Sequence, residues 1–269
     1  MWQPDREHSD PPRGASGRRR GWLVGLVLLV VAVLAVSLTL RHERAQAALA
    51  RALLQTYPQD VTAHPVLVRF AQAQARPLYA KYCAACHGAD MRGNLVLGAP
   101  SFLEHDWLWG DGTVFQIERI VMYGIRSGNP KALNVTDMPA FGLMGRLSDG
   151  QIRELVQYVM KLSHRPYDAE AANAGDMLFH EDRVNCYDCH GPYARGDPDY
   201  GAPNLTLDVF YNGGDAQSIY DSIYYGRHRM MPAWDGKLSL EQIRALAVYI
   251  HEAAKDAPPR PAGELAALN

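Results

Sequence analysis

Apolar residues divide this chain into one long hydrophobic run and two sets of shorter amphipathic segments. The run extends from Trp22 to Leu40 and contains no charged residue. As a helix it is about 29 Å long, close to the ~30 Å hydrocarbon core of a bilayer. The pattern therefore predicts a single transmembrane helix over residues 22–40.

The residues that flank the run predict its orientation. Arg18-Arg19-Arg20 precede it, and arginines concentrate on the cytoplasmic side of membrane helices. The N-terminus is then cytoplasmic, and everything after Leu40 faces the periplasm of a bacterial inner membrane. A cleaved signal peptide is the alternative, because Ala45-Gln46-Ala47 resembles a cleavage site. The run exceeds the ~7–15 apolar residues of a signal peptide, which favours an uncleaved anchor.

Two amphipathic segments recur later in the chain, each in two copies. The shorter segment ends at Gly124 in the first copy and at Gly226 in the second, and glycine is a common helix terminator. The longer segment follows Ser148 or Ser239, each with a glutamine three positions on, which is a capping box. Its apolar residues recur at i, i+3, i+4 and i+7, the period of a buried helix face. They are Ile152, Leu155, Val156 and Val159, matched by Ile243, Leu246, Ala247 and Ile250.

Convincing alternating strands are absent from the sequence, which therefore predicts an all-α fold. The apolar run and the duplicated segments together predict one transmembrane helix followed by two tandem domains. The predicted parts are a disordered N-terminus (1–21), the anchor (22–40), a helical extension and linker (41–65), domain 1 (66–165), domain 2 (174–256) and a loose tail (257–269). Hydrophobic content is 48% and net charge is -2, values typical of a globular protein and not of a nucleic-acid-binding one.

The candidate chemistry lies in a five-residue motif that occurs once in each repeat. The motif is Cys83-Ala84-Ala85-Cys86-His87 in the first repeat and Cys186-Tyr187-Asp188-Cys189-His190 in the second. Cys-x-x-Cys-His is the attachment site of haem c, in which both cysteines form thioethers and the histidine is the proximal iron ligand. A zinc site or a redox disulfide is the alternative for paired cysteines. The repetition, with a matching downstream ligand, favours two covalently bound haem c groups.

A methionine followed by Pro-Ala stands downstream of each motif, Met138 in the first repeat and Met231 in the second. Methionine opposite histidine is the iron ligation of electron-transfer cytochromes c. The proline favours an extended backbone, which suits a ligand on a loop. Met231 is chosen over Met230 because only Met231 aligns with Met138. The cofactor-binding residues are then Cys83, Cys86, His87, Met138, Cys186, Cys189, His190 and Met231, of which the histidines and methionines bind iron.

Other side chains compete for these roles or support them. His105, His180 and His228 are the alternative iron ligands, although exposed or packed loop histidines are the commoner case. The triplets Gly98-Ala99-Pro100 and Gly201-Ala202-Pro203 follow the two motif histidines at the same interval, and a carbonyl there is expected to accept a hydrogen bond from the imidazole. We expect Trp107, Trp109 and Trp234 to pack against the porphyrins.

Several longer segments resemble one family, the dihaem subunit III of cbb3-type cytochrome c oxidases. They are 106–110 (Asp-Trp-Leu-Trp-Gly), 138–142 (Met-Pro-Ala-Phe-Gly), 201–206 (Gly-Ala-Pro-Asn-Leu-Thr), 225–227 (Tyr-Gly-Arg), 231–234 (Met-Pro-Ala-Trp) and 238–239 (Leu-Ser). The resemblance covers roughly Pro77 to Ala253 and includes one membrane anchor ahead of it. It implies two class I cytochrome c domains.

The resemblance also implies partners, with one departure. Electrons would arrive from a soluble cytochrome c or a bc-type complex and leave toward the haem–copper catalytic subunit of a membrane oxidase complex. The chain itself would be an electron-transfer subunit of an oxidoreductase, not catalytic on its own. The family usually carries a Trp-rich, acidic segment before its membrane helix, whereas this chain has only Gly21-Trp22 there. This difference bears on the predicted contact with the oxidase.

Two other functions fit the same motifs. A dihaem peroxidase-like enzyme would need an open or displaceable sixth iron position, which paired histidine and methionine ligands do not provide. A dihaem electron-transfer subunit of another periplasmic oxidoreductase complex would need the same two haems and a different partner.

Overall fold

The computed structural model describes residues 15–103, 107–134, 137–208 and 210–255, with side chains from Trp22 onward. Within that part, the regular structure is helical, and the only strand-like pairing consists of isolated two-residue bridges. The predicted loose tail over 257–269 and the first fourteen residues of the predicted disordered N-terminus lie outside the described residues. The residues up to Arg51 and those from Ala52 onward form separate compact units.

The first helix, α1, spans Ala15–Gln55. It is longer than the predicted span of 22–40 at both ends, so residues 15–21 are helical where disorder was predicted. Alanine and arginine are strong helix formers, and extending an existing helix requires no new nucleation. Within the described residues, Trp22–Gln55 is the one stretch long and apolar enough to cross a membrane. Its leucines and valines between Leu23 and Leu40 are 46–64% exposed, the environment expected of side chains that face lipid.

A 3₁₀ helix and eight α-helices follow α1 within the described residues. A 3₁₀ helix over Pro58–Ala63 leads into α2, and Pro65 occupies the first position of α2, where a missing N–H is harmless. Two of the remaining helices are single turns of 4 and 5 residues, and the other six are 10–18 residues long. They are α2 (Pro65–Tyr82), α3 (Ala84–His87), α4 (Val114–Tyr123), α5 (Asp149–Leu162), α6 (Ala169–Phe179), α7 (Cys186–His190), α8 (Ala216–Tyr225) and α9 (Leu240–Lys255).

The predicted helix ends are confirmed at both copies of the amphipathic segments. Helix α4 ends at Gly124 and α8 at Gly226, both with positive φ. Ser148 and Gln151 form the capping box of α5, each bonding the backbone of the other. Ser239 and Gln242 make the same reciprocal bonds ahead of α9, at 2.9 and 3.2 Å. Local sequence thus determines where these helices start and stop.

The packing of the helices does not follow the order of the repeats. Helix α9, from the second repeat, packs on α2 and α4 of the first repeat. Helix α5, from the first repeat, packs on α6 and α8 of the second. We call the group of α2, α3, α4 and α9 lobe A, and the group of α5, α6, α7 and α8 lobe B. The final helix of each sequence repeat therefore belongs to the lobe that carries the other repeat's Cys-x-x-Cys-His motif.

Lobe B contains a continuous apolar core. The buried faces of α5 and α6 meet in it, together with residues of α8. Its fully or nearly fully buried members include Ile152, Leu155, Val156, Val159, Phe179, Ile219 and Ile223. Glycine at position 175 permits the close approach of the two helices, because a Cβ there would lie 2.1 Å from the Glu154 carbonyl oxygen.

Lobe A contains a buried ion pair at its centre. Arg244 of α9 is hydrogen-bonded to both carboxylate oxygens of Glu118 on α4, and both residues are less than a tenth exposed. Its Nη1 also donates to the backbone carbonyls of Leu53 and Thr56, at 3.1 and 2.9 Å. The single side chain of Arg244 thus joins α9, α4 and the segment that precedes α2.

Candidate cofactor-binding site

Each Cys-x-x-Cys-His motif forms a single helical turn. In the first, Cys83 caps α3 and His87 is its last residue; in the second, α7 runs from Cys186 to His190. A glycine with positive φ ends both turns, Gly88 at +78° and Gly191 at +76°. Two cysteines and a histidine on one turn can all reach a single flat group, which is the arrangement that haem c attachment requires.

Both motif histidines are held by the backbone in the predicted way. The Nδ1 of His87 lies 3.1 Å from the carbonyl oxygen of Pro100, and the Nδ1 of His190 lies 3.0 Å from that of Pro203. This contact makes Nδ1 the N–H donor and leaves Nε2 as the free lone pair. Burial lowers the pKa of both histidines, which favours the neutral imidazole that a metal binds.

Two glycines that our sequence prediction missed hold these loops closed. The N–H groups of Gly93 and Gly196 donate to the carbonyls of His87 and His190, at 2.9 and 2.8 Å. Both glycines have φ near +80°, and a Cβ on either would lie 2.5 Å from the carbonyl of Ala99 or Ala202. The signal was present in the sequence, because an Arg-Gly pair follows the histidine at the same interval in both repeats.

Three of the four motif cysteines, Cys83, Cys186 and Cys189, are half-buried and have raised pKa values, whereas Cys86 is exposed. Desolvation raises the pKa of Cys83 to about 11 and that of Cys186 to about 12, and it also raises the pKa of Cys189. Zinc binding and disulfide exchange both need accessible thiolates, which the surroundings of Cys83, Cys186 and Cys189 disfavour. Within the described ranges, no three side chains of the His, Cys, Asp or Glu type come together as a metal site. The geometry favours the covalent attachment of a cofactor over zinc or a redox disulfide.

Met231 lies beside the C-terminus of α4, in lobe A. Its N–H donates to the carbonyl of Ile125 at 2.9 Å, and its carbonyl accepts from the N–H of Ile125 at 3.0 Å. Three residues later, the Trp234 ring packs on the ring of Tyr82 at 5.2 Å between centroids. Tyr82 directly precedes Cys83, so the Met-Pro-Ala-Trp segment of the second repeat lies next to the motif of the first.

Met138 occupies the equivalent position beside α8, in lobe B. Its N–H donates to the carbonyl of Arg227 at 3.3 Å, and the Arg227 N–H donates back at 3.1 Å. Phe141 donates from its backbone to the Ile223 carbonyl at 3.1 Å. Met138 also packs against the apolar core that includes Cys186 as a peripheral member. The Met-Pro-Ala-Phe segment of the first repeat thus lies with the motif of the second.

Two glycines make room for these methionine segments. A Cβ on Gly124 would lie 2.4 Å from the Met231 carbonyl oxygen, and a Cβ on Gly226 would lie 2.5 Å from that of Met138. The two positions are equivalent in the repeats, and each accommodates the methionine of the other repeat.

One continuous cavity connects both motifs and both methionines. Its walls are mostly apolar side chains of α4 and α8 and of the loops that follow the two histidines. The motif and methionine residues along it are Cys86, His87, Met138, Cys186, Cys189, His190 and Met231. Seven of the eight sequence-predicted residues therefore lie along one cavity, and Cys83 is not among its lining residues.

Charged and aromatic residues from both repeats meet along the same cavity. Arg126, Arg227 and Arg229 line it, and Arg229 donates to the Leu97 carbonyl at 2.8 Å across the repeats. Desolvation lowers the pKa of Arg227, which donates to the Ser222 hydroxyl. The sequence prediction missed all three arginines, because charge alone does not distinguish a cavity arginine from a surface one.

The predicted tryptophans occupy two different surroundings. Trp107 and Trp109 line the cavity, whereas Trp234 does not appear among its walls and packs on Tyr82 instead. Trp109 also lies over the backbone of Gly201, where a Cβ would be 2.0 Å from the indole ring.

His180, His228 and Met230 do not form an equivalent arrangement. His180 is engaged at both ring nitrogens, with the carbonyls of Asp176 and Pro192 each 2.9 Å away. His228 is exposed and pairs with Asp137 at 2.7 Å. His105 lies outside the described residues. The side chain of Met230 is 64% exposed, while the neighbouring Met231 is only partly exposed and has its backbone fixed by Ile125.

Comparison with known proteins assigns this arrangement to a family. The sequence model described as "Cytochrome C oxidase, cbb3-type, subunit III" matches twice, over residues 70–159 and 170–250. The chain belongs to the cbb3-type cytochrome c oxidase subunit III family. The resemblance stated from the sequence is confirmed, and so is the all-α class with an apolar N-terminal helix ahead of two cytochrome c repeats.

Individual members of the cbb3-type subunit III family align over most of the chain. A Cbb3-type cytochrome c oxidase subunit FixP from Bradyrhizobium sp. (strain ORS 278) is 40% identical over 196 residues, 71% of this chain and 64% of the relative. CcoP subunits from Rhodobacter capsulatus and Cereibacter sphaeroides are 41% and 35% identical over 207 residues, 74% and 77% of this chain. The alignments span 68% and 69% of those two relatives.

Membership of the cbb3-type subunit III family agrees with the local geometry. The family is one of c-type cytochromes, which implies haem c, and the two motif turns fit such a group through their thiols, their backbone-held imidazoles and their apolar cavity walls. The exposed apolar surface of α1 and the membership of a membrane oxidase subunit family support a membrane-anchored protein.

Proposed function

We propose that this chain is a membrane-anchored dihaem cytochrome c that passes single electrons within a cbb3-type haem–copper oxidase. One haem is attached at Cys83 and Cys86, with His87 as its proximal ligand. The other is attached at Cys186 and Cys189, with His190 as its proximal ligand. Met138 and Met231 supply the two remaining iron ligands. Bound haem supplies the reversible one-electron chemistry of iron.

The observation that carries this proposal is the shared cavity. Two single-turn Cys-x-x-Cys-His motifs open on it, each with its imidazole bonded to a proline carbonyl, and Met138 and Met231 also line it. A protein that supplies both axial ligands leaves no position for a substrate, which favours an electron carrier over a peroxidase-like enzyme.

The protein's own residues would set the properties of the cofactors. The thioether ligands stabilise ferrous iron and raise the potential, and the apolar walls exclude water from the iron. Arg126, Arg227 and Arg229 supply positive charge along the cavity for the haem propionates. The Pro100 and Pro203 carbonyls hold the imidazoles in one tautomer and orientation.

The proposal extends to domains, orientation and partners. Residues 66–165 and 174–256 are the two haem-bearing sequence repeats, and both face the periplasm because Arg18-Arg19-Arg20 hold the N-terminus in the cytoplasm. Electrons arrive from a soluble cytochrome c or a bc-type complex and leave toward the oxidase's catalytic subunit. The names of the FixP and CcoP relatives support the oxidase as the partner.

Mass and spectroscopy test the cofactor part of the proposal. The chain is produced in a host with haem-attachment machinery and denatured to remove loosely held groups. We expect the mass of the polypeptide plus two haems, and low-spin ferric spectra with a methionine-to-iron charge-transfer band. A polypeptide mass without haem, or a high-spin haem in the resting protein, would contradict it.

Purification from membranes tests the partner. With a mild detergent, we expect the full chain to be recovered together with a copper-containing oxidase. Recovery with a periplasmic dehydrogenase, and without the oxidase, would assign the same two haems to a different complex.

A further inference from the structure

We infer that two tryptophans of one short segment position the proximal imidazoles of two different haems. Trp107 acts on His87 through a neighbouring aromatic ring, and Trp109 acts on His190 through the loop that bonds its Nδ1. The inference rests on the proposed function, since both imidazoles are the proposed proximal ligands. It adds two positioning residues that bind neither iron.

Trp107 belongs to a stack of aromatic rings that reaches His87. The Phe102 ring is stacked on the His87 ring, with 4.3 Å between centroids, and the Trp107 ring is stacked with Phe102 at 6.3 Å. The N–H of Phe102 donates to the Met91 carbonyl at 2.9 Å, which fixes the backbone of the middle ring. A ring stacked on an imidazole restricts its rotation, and Trp107 holds that ring in place.

Trp109 packs instead on a loop of the second repeat. Its indole is only 6% exposed and lies so close to Gly201 that a Cβ there would be 2.0 Å from the ring. The neighbouring Gly110 donates its N–H to the Pro198 carbonyl at 3.2 Å. Side chain and backbone of this short segment thus both contact the loop that follows the second motif.

The loop beneath Trp109 carries the carbonyl that holds His190. Asp197 and Ala202 exchange two backbone hydrogen bonds across it, at 3.0 and 3.1 Å. The next residue is Pro203, whose carbonyl oxygen lies 3.0 Å from the Nδ1 of His190. The partner of this ring nitrogen fixes the orientation and basicity of a metal-binding imidazole. Displacement of the loop would therefore change the imidazole without touching the iron.

The second repeat has no tryptophan in the equivalent segment. Thr113 caps α4 and Asp215 caps α8, and residues 204–214 ahead of the second cap contain no tryptophan. A haem-binding repeat of this type is thus built without such a pair. The segment 107–110 of the first repeat alone contacts the proximal surroundings of both histidines, and it links the two sites.

NMR of the haem-loaded full chain tests the two assignments, with the protein in detergent, reduced and labelled with ¹⁵N-histidine. Each proximal imidazole is assigned by nuclear Overhauser contacts to the haem whose thioether protons contact the cysteine β-protons of the same motif. We expect Trp109→Ala to speed solvent exchange of the His190 Nδ1–H by about tenfold, because the acceptor loop opens more often. Exchange at His87 should stay unchanged. Trp107→Ala should give the reverse.

Trp107→Phe and Trp109→Phe are the conservative controls. Each keeps an aromatic face and should restore most of the protection against exchange. If an alanine variant does not load haem, the phenylalanine variant carries the test, with a smaller acceleration at the same imidazole alone. Acceleration at both imidazoles in one variant, at the same imidazole in both variants, or at neither would overturn the inference.

Redox titration gives a second readout and separates this inference from the proposed function. Trp107→Ala should shift one of the two midpoint potentials, and Trp109→Ala should shift the other. A protein that carries both haems but shows the same potential shifted in both variants would overturn the positioning roles and leave the dihaem carrier intact. A chain that attaches no haem would overturn both.

Discussion

Asp215 illustrates how a single side chain fixes an element of the site. Its carboxylate caps α8, accepting from the N–H groups of Gln217 and Ser218 at 3.0 Å each, and it also accepts from the Ser218 hydroxyl. Hydrogen bonding to Ser218 lowers the pKa of Asp215. The helix that it caps carries Ile219 and Ile223, which form part of the wall of the cavity.

We expect Asp215→Ala to destabilise the protein by roughly 0.5–2 kcal/mol at neutral pH, the usual effect of losing an N-cap. Because the folded pKa is depressed, the charge-dependent part of this stability is fully present above the pKa of an unfolded aspartate, about 3.9. This part of the stability is lost as the pH falls through the lower pKa that Asp215 has in the folded protein. Urea unfolding at pH 7 and pH 3 checks this, and the difference from the original protein should shrink at pH 3.

Asp215→Asn is the matched control for this effect. Asparagine is an equally good N-cap, so the variant should keep most of the stability at pH 7 and show less dependence on pH. An effect of Asp215→Ala that is equally large at both pH values would mean that the charge of the cap is irrelevant.

Arg153 and Arg244 show how equivalent positions in the repeats diverge once the helices pack. Both follow a capping-box glutamine and an isoleucine, so the sequence pattern treats them alike. Arg153 forms an exposed i,i+4 pair with Asp149 at 2.9 Å, whereas Arg244 is buried and bonded to Glu118. An exposed pair contributes little, and a broken buried pair leaves an uncompensated charge.

We expect Arg244→Ala to destabilise the protein by roughly 3–5 kcal/mol and Arg153→Ala to have little effect on its stability. Chemical denaturation of the full chain in detergent measures both. The double variant Arg244→Ala/Glu118→Ala should lose less stability than the sum of the losses in the two single variants, because neither charge is then buried without its partner. Equal effects of Arg244→Ala and Arg153→Ala would contradict the role of the buried pair.

A substitution at Gly124, where α4 ends, tests how the Met231 segment is held in place. Gly124→Ala places a Cβ within 2.4 Å of the Met231 carbonyl oxygen and 2.8 Å of the Ala233 nitrogen. We expect displacement of the Met231 segment and weakening of the methionine-to-iron band of one haem.

Gly128→Ala is the control for backbone strain alone. Gly128 also has positive φ, +81°, but a Cβ there meets no atom within 4 Å. Gly128→Ala should leave the methionine-to-iron charge-transfer bands of both haems intact. Equal loss of a band in Gly124→Ala and Gly128→Ala would assign the effect to backbone strain and not to contact with Met231.

At the level of the whole molecule, the crossing of elements makes the two lobes interdependent. Lobe A needs α9 from the second repeat, and lobe B needs α5 from the first. Arg244 in turn connects α9 with α4 and with the segment that follows α1. Each lobe therefore contains helices from both repeats. The unfolding of one lobe disrupts chain segments that connect directly to the helices of the other lobe.

We therefore expect residues 52–255 to unfold in one cooperative thermal transition, measured by calorimetry on the haem-loaded full chain. Arg244→Ala, a change within lobe A, should shift the whole transition and not split it. Two separate transitions, of which only one moves in the Arg244→Ala variant, would show that the lobes are independent.

The local features of this protein follow from its sequence alone. The apolar run from Trp22, the capping boxes at Ser148 and Ser239 and the glycine ends at Gly124 and Gly226 depend on residues within one or two turns. The same holds for the motif turns, whose cysteines and histidine lie within five positions, so the haem chemistry could be predicted as well.

It is the tertiary structure that shows which methionine segment lies beside which motif, which arginine is buried and which helix completes each lobe. The two repeats are similar enough that α5 and α9 present equivalent apolar faces, and Met138 and Met231 stand in equivalent loops. Sequence similarity alone cannot distinguish an exchanged pairing from a direct one, because both bury the same kinds of side chain. The choice depends on contacts between residues far apart in the chain, such as Ile125 with Met231 and Glu118 with Arg244.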